Sequence, residues 1–76
     1  MTLAELGMGR SGVVRMVHGR GPSRLRLLDM GLTPGTQVTL LKTAPLGDPI
    51  EIGLRGYVLS LRREDARKIE LEEASR

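Results

Sequence analysis

The sequence predicts a mainly β fold, a small barrel with one short helix after the first strand and a helical turn before the last. Glycine and proline recur at short intervals from Gly7 to Gly56, which is typical of short strands joined by tight turns. The segments between them are rich in Val, Ile, Leu and Thr. A chain of 76 residues has room for one core, so we predict a single domain over residues 1–76.

Five segments carry strand signals. The third and fourth alternate between apolar and polar or small residues, as in Ile50-Glu51-Ile52, and Arg55-Gly56 between them suits a two-residue hairpin turn. A short last strand after a helical turn over Arg62–Lys68 is expected to close the barrel and remove its exposed edges. The predicted strands are Gly12–His18, Gln37–Lys42, Ile50–Leu54, Tyr57–Leu61 and Ile69–Leu71.

One helix interrupts the strands. Ser23 after Pro22 is the predicted N-cap, and Gly31 is the predicted terminator. Leu25 and Leu28 share one face, while Leu27 and Met30 point elsewhere, so the helix is apolar on more than one side. This is more apolar surface than packing on one barrel requires.

The chain lacks the groups that catalysis needs. It has no cysteine, its one histidine is His18, and its serines stand in no nucleophile motif. No spacing of His18 with carboxylates indicates a metal site, so we predict no enzyme, no cofactor and no intrinsic metal ligands.

A rigid loop is predicted between the second and third strands. Pro45 and Pro49 restrict residues Ala44–Pro49, and Asp48 is expected to cap its own backbone in an Asx turn. Leu46 at the tip is anomalous, because an apolar residue there either tucks under the barrel or awaits a partner.

The net charge of +3 permits an acidic partner or nucleic acid. Single-strand binders add aromatic stacking platforms, and this chain has one Tyr and neither Phe nor Trp, so no nucleic acid is expected. No apolar run approaches the roughly 20 residues that span a bilayer, and no signal-peptide pattern opens the chain; we therefore expect a cytoplasmic protein.

Three stretches together resemble the FeoA family: Arg26-Leu-Leu-Asp-Met-Gly-Leu-Thr-Pro-Gly35, Ala44-Pro-Leu-Gly-Asp-Pro49, and Arg55-Gly-Tyr57 leading into Leu61-Arg-Arg-Glu-Asp-Ala66. The resemblance implies an SH3-like barrel, similar also to the C-terminal domain of diphtheria-toxin-repressor-type regulators. It implies an accessory role in ferrous iron uptake without enzymatic activity. The implied partner is FeoB, a membrane transporter with a cytosolic GTPase domain.

Our leading hypothesis is a binding module that docks on the cytosolic region of FeoB. Leu28, Met30 and Leu46 would form the contact, with Arg24 and Arg26 steering the encounter. Met30 and Leu46 could equally belong to the core. The apolar helix also permits self-association. The alternatives are a small nucleic-acid-binding barrel and a metal-responsive regulatory domain that binds a transition metal ion.

Overall fold

The computed structural model describes residues 1–72; residues 73–76 of the predicted domain lie outside the described part. A single 3-10 turn, Leu3–Glu5, precedes five strands and two helices. In chain order the elements are β1 (Ser11–Val17), α1 (Gly21–Asp29), β2 (Gln37–Thr43), β3 (Ile50–Leu54), β4 (Tyr57–Leu61), α2 (Arg63–Ala66) and β5 (Ile69–Leu71). The mainly β prediction is confirmed, and the predicted strands agree with the observed ones to within one residue at each end.

All strand pairs are antiparallel, and the sheet order is β4-β3-β2-β1-β5. Strand β1 pairs with two neighbours. Its residues Ser11–Val13 pair with β2, and residues 14–17 pair with β5, with a register shift between Val14 and Met16. This shared strand turns the sheet around the core. The last strand lies beside β1 and not beside β4, and an isolated bridge between Thr2 and Glu70 flanks its other side. Pairing of strands therefore does not close the barrel as expected, since β4 remains an edge.

The hairpin between β3 and β4 follows the prediction. Leu54 pairs with Tyr57, which leaves Arg55 and Gly56 as a two-residue turn. Both have positive φ, 49° and 86°, as a type I′ turn requires.

Helix α1 begins three residues earlier than expected. Arg20 occupies the N-cap position, so Ser23 lies inside the helix and is not its cap. Pro22 stands in the first turn, where its missing N–H costs nothing because those groups have no intrahelical acceptor.

The end of α1 agrees with prediction. Gly31 has φ of 104°; its N–H donates to the Leu28 carbonyl at 3.0 Å, and the Leu32 N–H donates to the Leu27 carbonyl at 3.3 Å. These two bonds make a Schellman motif, in which the apolar residues before and after the glycine pack together. Leu27 and Leu32 are both fully buried. The inward position of the helix is therefore Leu27, and Leu25 faces solvent.

Aliphatic side chains from every strand and both helices fill the core. Leu28, Met30, Ala4 and Leu59 pack against it while partly exposed. Within residues 1–72, neither helix is long and apolar enough to cross a membrane. The buried apolar residues are Leu3, Leu6, Val14, Val17, Leu27, Leu32, Val38, Leu40, Ile50, Ile52, Leu54, Leu61, Ala66, Ile69 and Leu71.

Candidate partner-binding surface

The loop between β2 and β3 is held in place by α2. The guanidinium of Arg63 donates from Nε to the Gly47 carbonyl at 2.8 Å and from Nη1 to the Ala4 carbonyl at 2.7 Å. The backbone N–H of Arg63 donates to Asp48 Oδ1 at 3.0 Å. We call Arg63, Gly47, Asp48 and Ala4 the latch. It ties the loop, the first turn of α2 and the N-terminal segment into one unit.

The latch corrects the expected role of Asp48. Its carboxylate accepts the N–H of the first residue of α2, and so caps a helix distant in sequence instead of its own loop backbone. An anionic acceptor at a helix N-terminus satisfies an N–H that has no intrahelical acceptor. The loop is closed internally by the Gly47 N–H donating to the Ala44 carbonyl at 2.7 Å and the Ala44 N–H donating to the Pro49 carbonyl at 2.9 Å.

Leu46 at the tip of this loop is 96% exposed. The sequence left two possibilities for Leu46, packing under the barrel or pointing into solvent, and the structure shows the second. The hydrogen bonds within the loop and those of the latch hold the backbone on both sides of this side chain.

The other predicted contact residues lie on or just after α1, with differing exposure. Leu28 and Met30 are half-buried against the core, so they contribute only part of their surface. Arg24 donates from Nε to the Val17 carbonyl at 2.9 Å, which fastens α1 to β1. Arg26 is largely exposed and lies 3.5 Å from Asp65 of α2. Helix α2 thus contacts α1 through Asp65 and the loop that carries Leu46 through Arg63.

Two residues of this region were missed by the sequence reasoning. Leu25, the exposed apolar residue of α1 at 58%, was assigned to the same face as Leu28. Arg63 carried no signal of its own, because only the folded chain brings Ala4 and Gly47 to it. The stretch Arg26–Gly35, which carries part of the family resemblance, has a structural role.

That stretch joins α1 to the barrel. Thr33-Pro34-Gly35-Thr36 forms a turn whose Thr36 N–H donates to the Thr33 carbonyl at 3.1 Å. Arg55 from the β3–β4 hairpin donates to both threonine hydroxyls, at 2.9 Å to Thr33 and 2.6 Å to Thr36. Positive φ at Gly35 and a proline before it fit a type II turn.

The polar cluster around His18 joins β1 to β5. His18 Nε2 lies 2.7 Å from Glu70 Oε1, and Arg15 lies 3.4 Å from the other carboxylate oxygen. The hydrogen bond to His18, with the nearby charge of Arg15, lowers the pKa of Glu70 below its ordinary value. Among residues 1–72, no three His, Cys, Asp or Glu side chains are grouped to hold a metal ion.

A five-stranded antiparallel sheet that wraps around one core, with a helix after β1 and a short helix before β5, defines a small domain of the SH3-like class. The FeoA domain family matches residues 1–73. The chain belongs to the FeoA family, whose members are non-enzymatic accessory proteins of ferrous iron transport.

A relative with a similar sequence agrees with this family. The Fe(2+) transport protein A/Fe(2+) transporter FeoB fusion protein of Porphyromonas gingivalis (strain ATCC BAA-308 / W83) is 47% identical over 72 residues, which are 95% of this chain. The chain spans 8% of the length of that fusion protein.

Solved structures share the fold. FeoA of Chlorobium tepidum superposes with a TM-score of 0.88 at 39% identity, covering 99% of this chain and 71% of that one. FeoA of Stenotrophomonas maltophilia, described as a prokaryotic SH3 domain protein and solved with zinc, gives 0.83 at 28% identity over 95% and 89% of the two chains. A manganese-dependent transcriptional repressor, at 19% identity and TM-score 0.83 over 95% of this chain and 35% of that one, shares the fold alone.

Proposed function

We propose that this chain is a single cytoplasmic domain that binds the cytosolic region of FeoB and supports ferrous iron uptake through that contact. The observation that carries the proposal is Leu46, an apolar side chain held in solvent by the latch. The fusion of the two proteins in the Porphyromonas gingivalis relative supports the choice of partner. Fusion places two domains at high effective concentration, which benefits domains that work in contact.

The proposed contact surface has Leu46 as its apolar anchor and Arg26 as its charged member. Arg26 has an exposed guanidinium with one long ion pair, so it can attract an acidic patch before contact. Arg24 holds α1 on β1, and the exposed parts of Leu28 and Met30 extend the apolar area. Arg24 therefore acts by positioning the helix, while Arg26, Leu28 and Met30 would meet the partner.

The proposal is tested by titrating the cytosolic region of FeoB with this protein and its Leu46→Glu variant. Burying a leucine stabilises a complex by about 1.5–3 kcal/mol, so we expect affinity to fall roughly 10- to 100-fold. Met8→Glu is the matched control, because Met8 is also exposed, at 58%, and lies outside the latched loop. Equal affinity of the Leu46→Glu variant and the unaltered protein would refute this surface.

Charge steering has a separate readout. Arg26→Gln should lower the association rate at low salt and bring it close to the unaltered protein at high salt, because screening removes the long-range attraction. A salt-independent decrease would contradict the steering role of Arg26.

A further inference from the structure

Strand β4 has an open edge. Because Leu54 and Tyr57 flank a two-residue hairpin, Tyr57, Leu59 and Leu61 exchange backbone hydrogen bonds with β3. The alternate residues, Val58 and Ser60, direct their N–H and C=O groups to the other side of the strand. Within residues 1–72, turns, loops and caps supply no backbone hydrogen bond to Val58 or Ser60.

This edge lacks the charges, prolines and bulges that commonly protect an edge strand against pairing. Proteins blunt edge strands with charges, prolines, bulges or a covering element. Tyr57–Leu61 contains no charged residue or proline, and its pairing with β3 is regular. The opposite edge of the sheet differs, because Thr2 bridges to Glu70 there and the N-terminal 3-10 turn packs on β5. The N-terminal segment therefore covers the β5 edge of the sheet.

A shallow apolar surface lies beside the open edge, on the outer face of the sheet. The register places Thr39, Gly53 and Val58 side by side across three strands. The Leu41 side chain lies over Gly53, because a Cβ built on Gly53 would be 3.3 Å from Leu41 Cδ1. Leu41 and Val58 therefore line one shallow, open apolar surface. Val58 is 58% exposed. A strand added to β4 would set a side chain next to Val58, at the border of this surface.

Charge distinguishes between occupants of the edge. Arg55 lies at one end of β4 and Arg62 at the other, and both residues are exposed. The Arg55 guanidinium also donates to two neutral threonine hydroxyls, so it keeps its positive charge. A second copy paired antiparallel through β4 would place Arg62 opposite the second copy's Arg55-Gly56 turn, so like charges would meet at both ends. An extended segment with acidic residues at its ends would meet opposite charges instead.

We propose that β4 is a second binding edge, which takes an extended apolar segment with acidic flanks as an added strand. Backbone hydrogen bonds to Val58 and Ser60 supply the pairing, and one apolar side chain of the added strand packs against Val58. This mode needs no rearrangement of the barrel, because the pairing groups already face outward. It is independent of the Leu46 surface.

The probe is the acetylated, amidated heptapeptide Asp-Val-Thr-Val-Thr-Val-Asp, titrated into the ¹⁵N-labelled protein. We expect the amide resonances of Val58 and Ser60 to shift in a saturable way, with those of β5 unchanged. The same peptide with Lys at both ends should bind about fivefold more weakly, because two partly exposed charge pairs become repulsive. Leu46→Glu should leave this titration unchanged. A negative result for the β4 edge can therefore be distinguished from a negative result for the proposed FeoB-binding surface.

Two variants test the edge itself. Ser60→Pro removes the outward N–H while sparing the hydrogen bonds to β3, and should weaken peptide binding about fivefold. Val58→Lys adds an edge charge and should weaken it as well, with the fold checked by thermal denaturation. The proposal is overturned if Val58 and Ser60 amides do not shift, if the Lys-flanked peptide binds as well, or if sedimentation shows that a second copy occupies the edge.

Discussion

Removing the Arg63 guanidinium should loosen the latch and lower the stability of the whole domain. The variant Arg63→Met keeps the aliphatic stem and deletes both hydrogen bonds, to the carbonyls of Gly47 and Ala4. The Arg63 backbone N–H and its bond to Asp48 are retained. The perturbation is therefore confined to the guanidinium.

The magnitude follows from the two bonds lost. Hydrogen bonds from a charged donor contribute about 1.5–3 kcal/mol each, but the freed carbonyls are only partly buried and water can replace part of the loss. We expect a decrease of about 2–3 kcal/mol in the free energy of unfolding, or roughly 10–20 °C in Tm for a domain of this size. Such a domain has only about 4–11 kcal/mol in total.

Urea and thermal denaturation measure the change, and Arg62→Met is the matched control. Arg62 is the exposed neighbour of Arg63, so its replacement should change stability by less than about 0.5 kcal/mol. Arg63→Lys should fall between the two, since one ammonium cannot reproduce the geometry of the guanidinium. An Arg63→Met variant as stable as the Arg62→Met variant would refute the latch.

Further predictions concern the core, the helix end and the His18 cluster. Leu27→Ala should cost about 2–5 kcal/mol in urea denaturation, because Leu27 is fully buried; Leu25→Ala, on the exposed face of the same helix, should change stability little. Gly31→Ala should destabilise by more than about 1 kcal/mol, since φ is positive and the added Cβ would lie 2.6 Å from the Tyr57 hydroxyl; an unchanged Tm would contradict this. Glu70→Gln should be less stable than the parent at neutral pH. Because the folded-state pKa of Glu70 is lowered, its contribution is complete above the ordinary value of about 4.3 and is lost as pH falls through the folded-state value. Plotted against pH, the Tm values of the Glu70→Gln variant and the unaltered protein should therefore converge in acid. A difference in Tm that does not change with pH would exclude this contribution of the Glu70 carboxylate.

Local patterns in the sequence determined the elements of this protein. Alternation in Ile50–Leu54 predicts a half-buried strand, and the hairpin turn follows from a glycine that tolerates positive φ. Gly31 predicts the end of α1 for the same backbone reason. Each of these features depends on residues within a few positions of one another, so a single sequence contains the information.

The start of α1 shows how local signals can compete. Ser23 and Pro22 both suggest a beginning, and the first turn around Pro22 prevails, so Ser23 is inside the helix. Which leucine faces inward was also missed. Leu27 and Leu32 are joined by a backbone hydrogen bond of the Schellman motif, and both side chains are buried.

Only the tertiary structure decided the surfaces. Leu46 could have been core or contact, and it projects because Arg63, 17 positions later, holds the loop from α2 while also bonding to Ala4. The open edge of β4 likewise arises from β5 pairing with β1. Both outcomes join residues far apart in the chain, and the free energy of such contacts depends on the whole packed arrangement. The sequence determined the strands and turns, and the packing decided which side chains a partner can reach.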